Sequence, residues 1–233
     1  MARMKNQYDF MAGMYFDGEL FFNKYSFDID FYSMGDATQD QNTGIDRLQY
    51  FIYDRVQRSI FIREDDHASI KAFSKIGVPV LTVPGPGPFD PIILATLVTK
   101  MNAILEDTLV ITDAELTSAV GGLLTYVWDS ADDDDEIHEM VTDDDDAKWW
   151  ASPAPRFESY PAGADVDEIE AARPFPITWE MLNLAWLDDD AAIADDDSRF
   201  VLPAALFPID DKECTVIKAD FTNKTKKPKK PKK

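Results

Sequence analysis

The chain has 233 residues, 45% of them apolar, which can supply an ordinary hydrophobic core and argues against wholesale disorder. Its formal charge is -21, yet seven of its 23 basic residues are lysines among the last ten positions, so residues 1–223 carry 16 basic against 44 acidic groups, a balance of -28. Such a field repels nucleic acid and anionic membrane, and favours cationic partners, divalent ions or surfaces that normally hold nucleic acid. Cys214 is the single cysteine, which leaves no internal disulfide framework and no thiolate metal cluster. The N-terminal stretch has no continuous apolar signal region, and no run approaches the length of a membrane span, so the expectation is a soluble, cytoplasmic protein.

In chain order, Met14 to Met34 is dense in aromatic and aliphatic residues. Tyr25, Phe27, Ile29 and Phe31 alternate with polar neighbours, as in a half-buried strand. The preceding YFDGELFF reads either as one strand interrupted by an Asp17-Gly18 turn or as the strand before a hairpin turn at Asn23-Lys24. Gly35 to Asn42 reads as a polar loop. Thr43 and Asp46 resemble a capping box opening an amphipathic helix whose apolar face is Ile45, Leu48, Ile52, Val56 and Ile60. Asp66 caps a shorter helix through Ile70, Phe73 and Ile76, stopped by Gly77.

Val78 to Val83 is a strand in which Pro79 suggests a sheet edge or a strand beginning. PGPGPFDP follows as a rigid connector. Its prolines lack the donors a phosphate would need, and Asp90 would repel that ligand. Asp90 and Pro91 then read as the N-cap and first residue of a helix that is apolar on nearly every side. Thr108 to Thr112 is a short strand closed by Asp113 and Glu115, with a second helix starting after it, and LLTYVW after Gly121-Gly122 is a last strand. These elements predict an α/β (or α+β) fold: a small mixed sheet with an N-terminal antiparallel hairpin, helices packed on it, and an acidic, irregular C-terminal half. The predicted organisation is a core over 1–128, an acidic extension over 129–221 packed at least partly on it, and a disordered Lys/Pro-rich tail over 222–233.

From Trp128 to Arg199 there are 23 acidic and four basic residues, and the same stretch holds all five tryptophans. Trp149 and Trp150 stand among the acids. Trp179, Leu182 and Trp186 have the spacing of a short amphipathic helix, which either docks on an apolar groove with a basic rim or folds back onto the chain's own core. Beyond it, CTVIKADF reads as a strand, and the terminal lysines can touch nucleic acid, a partner or the acidic runs of this chain.

Two histidines and one cysteine leave little for nucleophile or zinc chemistry. His67 has the position of a helix-start residue, and His138 lacks the second histidine of a metalloprotease helix. Carboxylate chemistry with magnesium or manganese is left. Residues 14–120, through YFDGELF at Asp17, FD at Asp90 and LVITDAEL at Asp113 and Glu115, resemble the PIN-like nucleases and their NYN branch. That resemblance implies a metal-dependent phosphodiester hydrolase with Asp17, Asp90, Asp113 and Glu115 as its acids, and with Asp17 and Asp113 holding the metal. The composition supports a different leading expectation: a non-enzymatic acidic protein, needing no cofactor, that binds a basic protein partner. In its sharpest form it is a decoy for a nucleic-acid-binding surface, with Trp149, Trp150, Trp179, Leu182 and Trp186 at the contact. A structural or assembly component is the third alternative.

Overall fold

The computed structural model describes residues 3–33, 38–130, 137, 140–141, 148–156 and 177–187. His138, Cys214, the strand read in CTVIKADF and the Lys/Pro tail lie outside the described residues. Among the described residues six strands form one mixed sheet in the order β4-β3-β1-β2-β5-β6. β1 (Arg3–Phe16) and β2 (Glu19–Ser33) make a long antiparallel hairpin. Its turn is Asp17-Gly18, with φ of 51° and 82°. Two successive left-handed residues match the twist of the arms, and Asp-Gly tolerates that geometry at little cost. The turn at Asn23-Lys24 is thereby excluded. β1 also starts eleven residues upstream of Met14, on the alternation Met4, Asn6, Tyr8, Phe10 and Ala12.

The first helix, α1 (Thr38–Tyr50), begins five residues before the expected cap at Thr43 and continues as a π-helical turn, Phe51–Val56. Ile60 does not extend it. Ile60 opens β3 (Ile60–Arg63), a four-residue strand buried on both faces, whose continuous apolar run has no alternation to distinguish it from helix. α2 (His67–Lys75) has Asp66 as its N-cap, accepting from Ser69 N at 3.1 Å, and ends before Gly77 at a φ of 76°. β4 (Val80–Val83) is the sheet edge that Pro79 suggested.

α3 (Asp90–Leu105) follows, then β5 (Leu109–Ser118) and β6 (Thr125–Asp129). β1, β3, β4 and β5 all run in the same direction, because β1 is parallel to β3, β3 to β4, and β5 is antiparallel to β2. The connection from β4 to β5 must therefore cross the sheet from its edge past three strands. α3 makes that crossing, and its apolar circumference follows from being covered on every side. β5 runs on to Ser118, so the second helix expected after Glu115 is a strand instead. A bulge between Asp30 and Phe31 leaves Thr112 without a cross-strand partner and changes which residues face inward, from Leu109 and Ile111 to Ala114, Leu116 and Ser118.

One face of the sheet carries Tyr8, Phe10, Phe27, Ile29, Phe31 and Leu116 against α1, the π turn and α3. On the opposite face α2 covers only Ile60, Ile62, Val80 and Tyr15. Residues 148–156 and 177–187 lie on the helical layer and are held there by two buried cations. The Lys100 ammonium donates to the carbonyls of Trp149, Ser152 and Ala154 at 2.9, 2.7 and 2.7 Å. Arg47 is 2% exposed, donates to Leu184 O at 2.6 Å and Ile104 O at 3.3 Å, and pairs with Glu106 at 2.8 Å. Its guanidinium lies 3.7 Å from the Trp186 ring and 4.8 Å from that of Trp179. Burial lowers the Arg47 pKa, and the Glu106 carboxylate opposes that shift.

Arg47→Met removes these contacts and leaves the carbonyls it satisfied without a donor. It is expected to cost about 2–4 kcal/mol in denaturant unfolding and to shift tryptophan emission to the red as Trp179 and Trp186 become wetter. Unchanged stability and emission would contradict the assigned role.

Candidate functional site

The helix-free face of β1, β2, β5 and β6 is open to water. Alternation along each strand places Arg3, Lys5, Gln7 and Asp9 of β1, Asp28 and Asp30 of β2, Asp113 and Glu115 of β5, and Asp129 of β6 on it. The register sets acids against one another. Asp30 stands directly across from Asp113, which stands across from Asp129, and Asp28 stands across from Glu115. Arg3 Nη2 reaches Asp30 at 2.7 Å and Asp113 at 3.2 Å. The hydrogen bond to Asp30, followed by its charge, raises the Arg3 pKa. Lys5 lies across from Asp30 on the other side. Arg3, Lys5 and, by the same alternation, Lys24 thus serve a face with six carboxylates, and directly opposed like charges in a sheet are destabilising.

The four acids of the nuclease resemblance do not meet. Asp17 is in the hairpin turn, whereas Asp113 is paired with Asp30, about 11 residues along β2 from Glu19, or roughly 36 Å at about 3.3 Å per residue. Asp90 is on the opposite side of the sheet from Asp113 and Glu115, since it bonds to Ser118, one of the inward residues of β5. Asp113 and Glu115 lie within a strand rather than at its end. The catalytic set Asp17, Asp90, Asp113 and Glu115 and the metal pair Asp17 and Asp113 are therefore not assembled into one centre, because sequence spacing could not register the faces or the length of the hairpin. Among the described residues no group of three or more His, Cys, Asp or Glu is arranged to hold a metal ion.

Asp90 also departs from its expected role as a cap. Phe89 is the N-cap and makes no side-chain cap bond. The Asp90 carboxylate is 7% exposed and accepts from Ser118 Oγ at 2.6 Å through Oδ2, while Oδ1 has no partner among the described residues. Ser118 Oγ in turn accepts from Gly121 N at 2.9 Å. A side chain at Gly121 would collide with Asp90 Oδ2 and stand 2.8 Å from Ser118 Oγ, which accounts for glycine there. Tyr25 is buried nearby. Desolvation raises its pKa, and the Asn23 carboxamide beside it offsets part of that rise without closing a hydrogen bond of ordinary geometry.

The tryptophans expected at a partner contact are used internally. Trp149, Trp150 and Trp179 are 0%, 2% and 6% exposed. Their indole N–H groups donate to Thr82 O, Val141 O and Pro153 O at 2.9, 2.9 and 2.8 Å. The Trp149 bond satisfies a carbonyl of the edge strand β4. Leu182 is half-buried against the core, and Trp186 lies on Arg47. Residues 179–183 form turns rather than a helix, with Asn183 at a φ of 56°. The acids that alternation leaves open to water are instead those of the helix-free sheet face. Lys100 and Arg47, which decide this outcome, belong to no motif or periodicity that marks them in the sequence. A signal existed for the first, as Lys100 is the sole charged residue between Asp90 and Glu106 in an otherwise apolar helix.

A cleft of about 280 Å³ lies at the carboxyl ends of β1 and β3, lined by Tyr15, Phe16, Asp17, Gly18, Arg63 and Asp66. Two of its charged groups are engaged locally. Arg63 pairs with Asp65, and the hydrogen bonds from Ser69 lower the Asp66 pKa. No helix among the described residues is long and apolar enough to cross a membrane. The sequence matches no protein-family model and no curated protein.

Desolvation raises the pKa of Asp90, with the Ser118 bond opposing the rise. A carboxyl whose folded pKa exceeds its unfolded value contributes stability that is full below the unfolded pKa and lost as pH rises through the folded one. Asp90→Asn removes that loss. The variant is expected to gain stability over the parent at neutral pH, with the gap closing as pH falls below the raised pKa. Denaturant midpoints measured from pH 4 to pH 8 check this, and a constant gap would contradict it.

Proposed function

We propose that the protein is a non-enzymatic acidic interaction protein whose open sheet face binds a basic protein partner, in its sharpest form occupying a surface that otherwise holds nucleic acid. The observation that carries the reading is the cross-strand opposition of Asp30, Asp113 and Asp129, flanked by Asp28 against Glu115. A fold selected for stability alone gains by neutralising such rows, and local rules are broken most often where function requires it. The -28 balance of residues 1–223 extends the same field over the whole body. It steers cationic surfaces into fast encounter that weakens with salt.

Affinity capture at low ionic strength tests the proposal. It is expected to recover a basic partner, with binding that falls steeply as salt is added and with Asp30→Lys and Glu115→Lys slowing association about tenfold or more. Recovery of no basic partner, or binding indifferent to salt, overturns it. Glu115→Gln is expected to weaken capture while raising stability by about 0.2–1 kcal/mol, since it relieves the opposition to Asp28. A loss of stability in Glu115→Gln would contradict the carrying observation.

A further inference from the structure

The hairpin outruns its neighbours. β5 last pairs with β2 at Ser118 against Tyr25, and Ala119 N donates to Lys24 O at 3.0 Å. The chain then curls toward Asp90 through Gly121, so from Glu19 to Phe22 β2 has a strand beside it only on the β1 side among the described residues. The Lys24 carbonyl points toward β5. Strand alternation therefore aims the N–H and C=O groups of Leu20 and Phe22 at the same, open side. The side chains along this edge are apolar and exposed, with Leu20 at 38%, Phe21 at 39% and Phe22 at 74%. Natural sheets guard such edges with lysine, proline or bulges, and Leu-Phe-Phe has none of these.

We propose that the Glu19–Phe22 edge pairs antiparallel with the same edge of a second copy of this chain, extending the two sheets across a two-fold axis centred near Leu20 and Phe21. Self-pairing is favoured by the charges that bracket the edge. Asp17 and Glu19 stand at its tip end and Lys24 at its other end. An antiparallel two-fold sets the Lys24 of each copy beside the acidic tip of the other, whereas parallel pairing sets like charges together. The same operation supplies partners to the open backbone groups and removes Leu20, Phe21 and Phe22 from water together. The contact is distinct from the acidic face, which lies at the far end of the hairpin, and it does not depend on the proposed partner.

Sedimentation of the full chain over a wide concentration range, in low and in high salt, tests the proposal. A monomer–dimer equilibrium is expected, and salt should strengthen it, because two bodies of the same strongly negative charge repel one another until screened. Phe22→Lys is expected to weaken dimerisation about tenfold or more with an unchanged circular dichroism spectrum, as its side chain is exposed in the single copy. Phe22→Pro takes away an N–H that faces the open side, not one of the ladder to β1, and should weaken the dimer in the same way. A monomer under every condition, a dimer unaffected by both variants, or a dimer that dissolves as salt is added would overturn it.

Discussion

A lysine ammonium with three backbone carbonyls around it, deep in the helical layer, decides how residues 148–156 are held on the sheet core. Lys100 stands on α3, which carries the chain across the sheet from β4 to β5, and its three donors match three carbonyls of residues 149–154. An isolated charge in that position would cost several kcal/mol, and desolvation drives its pKa well below the ordinary lysine value. The full complement of hydrogen bonds is what makes the burial tolerable. Arg47 does the same for residues 179–186, with carbonyls at its edge and an indole ring beside its plane. Glu106 holds a left-handed backbone conformation at φ 46° at the end of α3, where its carboxylate meets Arg47.

The choice of acceptor matters for the electrostatics. In a body with so large an acidic excess, buried cations would be expected to take carboxylates, yet Lys100 takes only main-chain oxygens. Lys100 is thus satisfied without drawing on the acidic excess, whereas Arg47 takes the Glu106 carboxylate in addition to two carbonyls. The sheet shows the same separation on a smaller scale, with aromatic residues inward and aspartates outward on alternate positions of β2. Core formation and surface charge are thus nearly independent, and the field that carries the proposed partner binding exists without undermining the packing beneath it. Anchoring through buried carbonyls is also little screened by salt, unlike contacts made by the open face.

What could be read from the sequence follows the same division. The fold class, the hairpin, α2 with its Asp66 cap, the edge position of β4 and the apolar helix after Asp90 were legible because each rests on local chemistry or short periodicity. β3 was hidden because Ile60, Phe61 and Ile62 are all buried and carry no alternation. The fate of Asp113 depended on a bulge at Thr112, and that of Asp90 on a hydrogen bond 28 residues away; neither leaves a local mark. The acids were visible as acids, but their faces were not. The tryptophans were ambiguous between partner and core until Lys100 and Arg47 were placed, and a lone lysine in an apolar helix was the overlooked clue.

Hydrogen exchange across the chain, compared between the parent and Lys100→Met, tests the central claim most directly. If the ammonium ties the tryptophan segment to the sheet, the parent protects amides of residues 148–156 to nearly the same degree as α3, and the variant loses that protection while β1, β2 and β5 keep theirs. Equal protection of residues 148–156 in the two proteins would contradict the account.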